Sequence, residues 1–290
     1  MGKRSRVKAR DRVGTPAKAH RTRVLRPFDG LRSEADIVAM REIVPSATVR
    51  LPLNDTAGAD REVLLCTLLP MAAPALVRQD GTVWLGLQVQ HAFGDPSREL
   101  AAVLLDALGA EPGEMVGLTD DPGDGPRLQD LVADEPLTVE VHEGFDFWVS
   151  DLGDDAAGAA ASLEQANAAV SPTARLTSVE AAYWTDVGSK EHLRWVLPYD
   201  EDAALSALAR LHVAGKDELV AGSRLVGMFR ALGLLVPVWD LPLGTGAEAL
   251  EEPVDAFAAA LASALEDTAA LSGEERSARA GLANRQVTIR

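Results

Sequence analysis

Two similar lobes, each packing helices on a mixed sheet, make the α+β fold that two observations predict; a third sets a short arm apart. The same order of strand-like and helix-like segments runs twice along the chain. In both runs an aspartate stands where the first long helix should begin. The third observation is charge. Residues 1–26 hold ten basic side chains against one acid, leaving 18 bases against 43 acids beyond. That is +9 on the arm and −25 on the body. With no apolar pattern obliging it to fold, the arm is expected to be disordered. The expected organisation is a disordered basic arm at 1–26, a first lobe at 27–153 and a second at 154–290 with the C-terminal helices.

Each copy opens on entry into a strand, at 44–51 and again at 170–176. Two β-rich runs follow in each half, 62–69 and 82–90 in the first and 179–187 and 192–197 in the second. The latter pair is joined by a turn at Gly188. Asp95 then caps a helix to about Gly109, with Pro96 preset at its first position, and Asp200 opens its counterpart to about Gly215. Leu100, Val103, Leu104 and Leu108 in one, and Leu205, Leu208 and Leu211 in the other, recur at the spacing that gives a helix one apolar face. Gly125-Pro126-Arg127-Leu128 leads to a strand ending at 145–149, as Gly222-Ser223-Arg224-Leu225 leads to one ending at 236–240. An alanine-rich helix follows each, at about 155–170 and 247–267, and a last short helix is expected at 272–282.

The 290 residues, 47% hydrophobic, suffice for one large core or two smaller ones. Cys66 is the single cysteine, which excludes an intrachain disulfide and a cysteine-rich zinc site and fits a reducing cytoplasm. The longest uncharged stretch, 63–77, is too short to cross a bilayer and is interrupted by Pro70 and Pro74, so no membrane contact is expected. The basic start has no apolar stretch behind it, which argues against a secretory signal; a transit peptide or nuclear signal stays open.

Gly244-Thr245-Gly246-Ala247-Glu248-Ala249 has the spacing of a dinucleotide fingerprint, whose glycines let backbone N–H groups approach a pyrophosphate. Leu241-Pro242-Leu243 separates it from the preceding strand, and no second parallel strand with a ribose-binding acid follows, so it reads as a connector. The acidic loop 120–125 lacks a calcium loop's ligands, because Pro122 falls on one ligand position and Leu131 stands where a bidentate glutamate belongs. His142-Glu143 begins a zinc-protease pattern that Asp146 breaks. His20, His91, His142, His192 and His212 show no metal spacing, and nucleophile-elbow, P-loop and redox dithiol motifs are absent. No catalytic residue, metal ligand or cofactor is therefore nominated.

Trp84, Trp148, Trp184, Trp195 and Trp239 all fall in strand-like runs and are expected in the core. In the arm, Lys3, Arg4, Arg6, Lys8, Arg10, Arg12, Lys18, Arg21, Arg23 and Arg26 have neither interleaved aromatics nor a helical face. The chemistry they offer is phosphate neutralisation without base reading. Charge segregation and the missing motifs together point to a non-enzymatic binding or adaptor protein. Its arm contacts RNA, ribosome or DNA, and its acidic body, which repels nucleic acid, binds an unidentified protein partner. A tail docked on its own acidic body is another reading of the arm. The alternative for the body is an enzyme with a motif-free site between the lobes, built from Glu140, His142, Tyr183 and Arg194, which requires these side chains to converge in one cleft.

Several segments carry a family resemblance: Ala39-Met40-Arg41-Glu42-Ile43-Val44-Pro45-Ser46-Ala47, Gly125-Pro126-Arg127-Leu128-Gln129-Asp130-Leu131, Glu143-Gly144-Phe145-Asp146-Phe147-Trp148-Val149, His192-Leu193-Arg194-Trp195-Val196 and Val236-Pro237-Val238-Trp239-Asp240-Leu241-Pro242. From Arg26-Pro27 to Thr288 the chain resembles an uncharacterised actinobacterial family, domain of unknown function 5926. The resemblance implies a cytoplasmic protein and brings no activity, substrate or catalytic residue with it. Some members carry, ahead of the shared body, a cysteine-rich zinc-binding segment like that of the preprotein translocase ATPase, and have SecA-like labels for that reason. No cysteine precedes Cys66 here, so zinc is not part of the expectation.

Overall fold

The first helix among the described residues is buried on every side for most of its length. α1 (Glu34–Glu42) has Glu34 and Asp36 in its first turn and Arg41 in its last, the distribution that the helix dipole favours. The computed structural model describes residues 23–58, 60–149 and 160–284, and in it every residue from Glu34 to Met40 is buried. A helix enclosed all round shows no apolar stripe in its sequence, so the periodicity that announces the other helices is silent here.

The chain continues through β1 (Ala47–Arg50), β2 (Val63–Cys66), β3 (Ala75–Val77) and β4 (Val83–Gly86). α2 (Pro96–Gly109), β5 (Met115–Val116) and β6 (Glu140–Val141) complete the first half. Its six strands form a mixed sheet ordered β5-β3-β4-β2-β1-β6, in which β2 and β4 pair in parallel and the other neighbours are antiparallel. α2 starts as its residues require: the Asp95 carboxylate accepts the Arg98 N–H, and Pro96 occupies a first-turn position with no helical hydrogen bond to lose. Leu100, Val103 and Leu104 then join Leu65, Val83 and Leu85 of the sheet in one core. Burial of each such leucine stabilises the fold by roughly 1.5–3 kcal/mol.

The opposite face of this sheet, with Cys66 and Trp84, lies under the 3₁₀ turn Asp146–Val149. This corrects the expected strand end at 145–149. The edge strand stops at Val141, and the chain turns over the sheet at Gly144, where Asn167 Oδ1 accepts the Phe145 N–H at 2.7 Å. A Cβ on Gly144 would stand 2.6 Å from that same oxygen, so the close approach requires glycine. Phe145 and Trp148 stack with ring centroids 4.5 Å apart, and the Trp148 indole donates to the Leu68 carbonyl at 3.0 Å. Trp148 is in the core as expected, but outside any strand.

The second half comprises α3 (Ala160–Asn167), β7 (Thr173–Arg175), β8 (Ala182–Asp186), β9 (Glu191–Trp195) and α4 (Glu201–Val213). It ends with β10 (Arg224–Ala231), β11 (Leu234–Leu241), α5 (Glu251–Glu266) and α6 (Gly273–Asn284). The Asp200 carboxylate caps α4 by accepting the Ala203 N–H at 3.0 Å. Five strands form an antiparallel sheet ordered β10-β11-β9-β8-β7. One face, with Leu193, Trp195, Leu235 and Trp239, packs with Leu205 and Leu208 of α4 and with Val254, Phe257 and Leu261 of α5. From the other face, Tyr183, Val196 and Val236 enter the core that holds Ile37, Met40, Leu65 and Leu104. The two sheets therefore share a core, and α1 lies in it.

The α+β class with two sheets agrees with the expectation, whereas the sheets do not repeat one another. β2 and β4, read as counterparts of β8 and β9, run parallel with β3 inserted between them in sequence. β8 and β9 instead form a hairpin turning at Gly188, whose φ is +81°. What recurs is narrower: an antiparallel opening pair, β1–β2 and β7–β8, and an aspartate-capped helix after the strands. The lobe boundary expected at 153/154 lies outside the described residues.

Candidate functional site at the seam between the sheets

Strand alternation sends one set of second-sheet side chains toward α4 and α5 and the other toward the first half, and the latter set turns polar where the shared core ends. Arg175, Tyr183, Arg194 and Val238 stand in one row across β7, β8, β9 and β11; Thr173, Thr185, His192 and Asp240 form the next. Arg175 of the first row faces α1 in one cavity, and Arg194, Thr173 and Thr185 face it in another.

The first cavity, about 390 Å³, is lined by residues that include Arg32, Asp36, Arg175, Ser178 and Glu180. Asp36 is 1% exposed, an expensive place for a carboxylate unless it is fully paired. Arg175 donates to it from Nε at 3.1 Å and Nη2 at 2.9 Å, and the Tyr183 hydroxyl donates at 2.7 Å. Burial, with the charge of Asp36, raises the Tyr183 pKa well above its ordinary value, so the hydroxyl keeps the proton it donates. Burial, reinforced by the same charge, raises the pKa of the Glu180 carboxyl at the cavity wall.

The second cavity, about 240 Å³, lies between the C-terminal end of α1 and the second sheet, with Arg41, Glu42, Gln88, Thr173, Thr185 and Arg194 in its wall. Arg41 donates to the Leu87 and Val89 carbonyls, and Gln88 donates to the Met40 and Val44 carbonyls at 2.8 and 2.9 Å. These bonds fasten the segment after β4 onto α1. Arg194 is different: among the described residues its side chain has no hydrogen bond and no ion pair, and burial lowers its pKa. Near Arg41, the His91 side chain is 5% exposed and neither ring nitrogen has a hydrogen-bond partner; Nδ1 stands 3.5 Å from Glu99 Oε2, in a carboxylate that already accepts the Ala92 and Phe93 N–H groups. Burial first, then the charge of Arg41, pushes the His91 pKa to about 4.

A family model described as a family of unknown function (DUF5926) matches residues 27–290. The chain belongs to that family. No curated protein and no solved structure matches it.

Within the DUF5926 body, the four side chains on which an enzyme reading rests are not gathered. Tyr183 and Arg194 are cross-strand neighbours, but the Tyr183 hydroxyl is engaged with Asp36. Glu140 has a side chain 77% exposed, and His142 Nε2 is 2.8 Å from Thr48 Oγ1 on the first sheet. Neither seam cavity includes Glu140 or His142. Asp36, Arg41 and Arg175, the polar residues that do build the seam, were not singled out from sequence. The missing signal is the one α1 lacks, an apolar stripe to mark its polar positions as exceptional.

The glycine-rich segment of the DUF5926 body does cradle an anion, and the anion is its own. Glu191 accepts the N–H groups of Gly244 and, at 2.9 Å, Gly246, together with the Trp184 indole N–H at 2.7 Å. Gly244 and Gly246 have φ of +84° and +70°, which glycine alone adopts without strain. Burial would raise the Glu191 pKa, but these hydrogen bonds outweigh it and lower the value. Of the nominated arm residues, Lys3, Arg4, Arg6, Lys8, Arg10, Arg12, Lys18 and Arg21 lie outside the described residues. Arg23 is exposed, whereas Arg26 is engaged by the body, donating to Glu34 at 2.8 and 2.6 Å. Among the described residues no helix is long and apolar enough to cross a membrane, and no group of three or more His, Cys, Asp or Glu could hold a metal ion.

Proposed function

We propose that this DUF5926 member is a non-enzymatic binding or adaptor protein of the cytoplasm, in which the basic arm contacts RNA, ribosome or DNA and the acidic body binds a protein partner. The observation that carries the reading is where the charge changes sign. The Val24 N–H donates to the Gly94 carbonyl at 2.8 Å, and Arg26 is paired with the buried Glu34. A Cβ on Gly233 would stand 2.8 Å from both Arg26 Cβ and the Leu25 carbonyl oxygen, so the root also packs against the turn between β10 and β11. The chain is thus fastened to the loop before α2, to α1 and to the turn between β10 and β11, immediately after nine basic residues that face a single acid. Arg26 is structural, and the cationic charge available to phosphate is that of the residues before Val24. Removing residues 1–23 leaves the root intact and is expected to abolish salt-sensitive co-sedimentation with RNA or ribosomes. Unchanged co-sedimentation of the shortened chain contradicts the reading.

A further inference from the structure

Arg194 is a charged group to which the described residues of the seam offer no partner. Its guanidinium offers five N–H donors in a planar fork, and no described residue accepts from it or pairs with it. The neighbours in its cavity are donors too. Thr173 Oγ1 donates to the Ser171 carbonyl at 2.9 Å and stands 3.3 Å from Thr185 Oγ1. Thr185, 3% exposed, keeps its own hydroxyl proton, which it can give to Thr173 Oγ1 or to a group bound in the cavity. Glu42, the acid in the wall, lies 3.3 Å from Arg41 Nε with its side chain 38% exposed, so its charge is turned to Arg41 and to solvent. Arg41 and Gln88 are held by backbone carbonyls, which makes the wall opposite the sheet rigid.

We propose that this cavity is a binding site for the carboxylate or phosphate group of a small molecule, with Arg194 as the ion-pairing residue and Thr185 as a hydroxyl donor. A guanidinium fork matches two oxygens of either group, and withdrawal from bulk water strengthens the contact. The cavity, about 240 Å³, admits an oxyanion with a few attached atoms rather than a nucleotide. The site is independent of the arm and adds a small-molecule input to the body.

The test is thermal unfolding of the full chain in chloride, inorganic phosphate and acetate at matched ionic strength. A saturable rise in Tm with millimolar phosphate or acetate is expected for the native chain, and the effective anion names the group. Arg194→Met should remove the saturable rise, corresponding to at least tenfold weaker binding, and Thr185→Val should weaken binding severalfold. In chloride alone Arg194→Met should melt at or above the native temperature, because it deletes a half-buried charge that lacks a partner. Phosphate held by the arm, and the general stabilisation that phosphate gives by exclusion, are the same in both chains. An unaltered saturable response in Arg194→Met overturns the proposal, as does the absence of any saturable response in the native chain.

Discussion

Arg175 and Asp36 lie 139 residues apart in the chain and meet through two parallel hydrogen bonds, Nε to one carboxylate oxygen and Nη2 to the other. The pair ties α1 to the second sheet at a point where the carboxylate is 1% and the arginine side chain 21% exposed. Removing one partner strands the other charge in the seam, which costs about 3–5 kcal/mol in buried pairs of this kind. Asp36→Asn and Arg175→Met are each expected to lower unfolding free energy by that order in urea titrations. In a double-mutant cycle the two losses should be far from additive. Independent, additive losses would show that the pair does not join the halves.

Burial holds His91 neutral, with a pKa near 4 against an ordinary value of 6.5. The unfolded chain therefore binds a proton between those values that the folded chain refuses, so the contribution to stability is complete above about 6.5 and is lost as pH falls toward 4. The loss attributable to His91 is up to about 3 kcal/mol. His91→Phe should flatten the stability profile in that window, measured as urea midpoints from pH 7 to 4. A profile unchanged by the substitution would contradict the assignment.

Glu251, in the first turn of α5, titrates at the other end of the scale. Burial would raise its pKa, yet hydrogen bonds from the N–H groups of Thr177 and Ser178 and from the Thr177 hydroxyl overcome that and bring it to about 2. Its folded value lies below the unfolded one, so its stabilisation is present above about 4.5 and disappears as pH falls toward 2. Glu251→Gln should destabilise the protein at pH 7 and reduce its further loss of stability below pH 4.5. A larger acid sensitivity in the variant would refute this.

Cys66 is fully buried on the first sheet, and that burial pushes its thiol far above the usual range. A thiol reagent should modify it in the native protein only as fast as the surrounding structure opens, and rapidly in denaturant. Rapid stoichiometric labelling of the folded protein would place the thiol outside the core.

Helices with one wet face were legible in the sequence. Asp95 and Asp200 marked the starts of α2 and α4, and the apolar residues at i, i+3 and i+4 are buried except Leu108, which is half-buried against the core. The strands 62–69, 82–90, 179–187 and 192–197 were read correctly as strands, with ends displaced by up to four residues. The short strands β3 and β5 escaped, as did α1 and the Asp146–Val149 turn. α1 escaped because burial on all sides erases the 3.6-residue signal, and with it went Asp36 and Arg41. The Asp146–Val149 turn was mistaken for a strand because Phe145, Phe147 and Val149 alternate, while the contact that bends the chain comes from Asn167, 22 residues from Phe145. The unmatched state of Arg194 depends on what four elements bring near it, which no local pattern encodes.

The claim that the arm alone carries nucleic-acid contact is tested most directly by the salt dependence of RNA binding. If six to nine arm side chains neutralise phosphates, the slope of log K against log salt concentration for single-stranded RNA is between about −4 and −6. The full chain is expected to give a slope in that range, and a chain beginning at Val24 to show no measurable binding. Binding by the shortened chain with the same slope would contradict the account, because the phosphate contacts would then belong to the body.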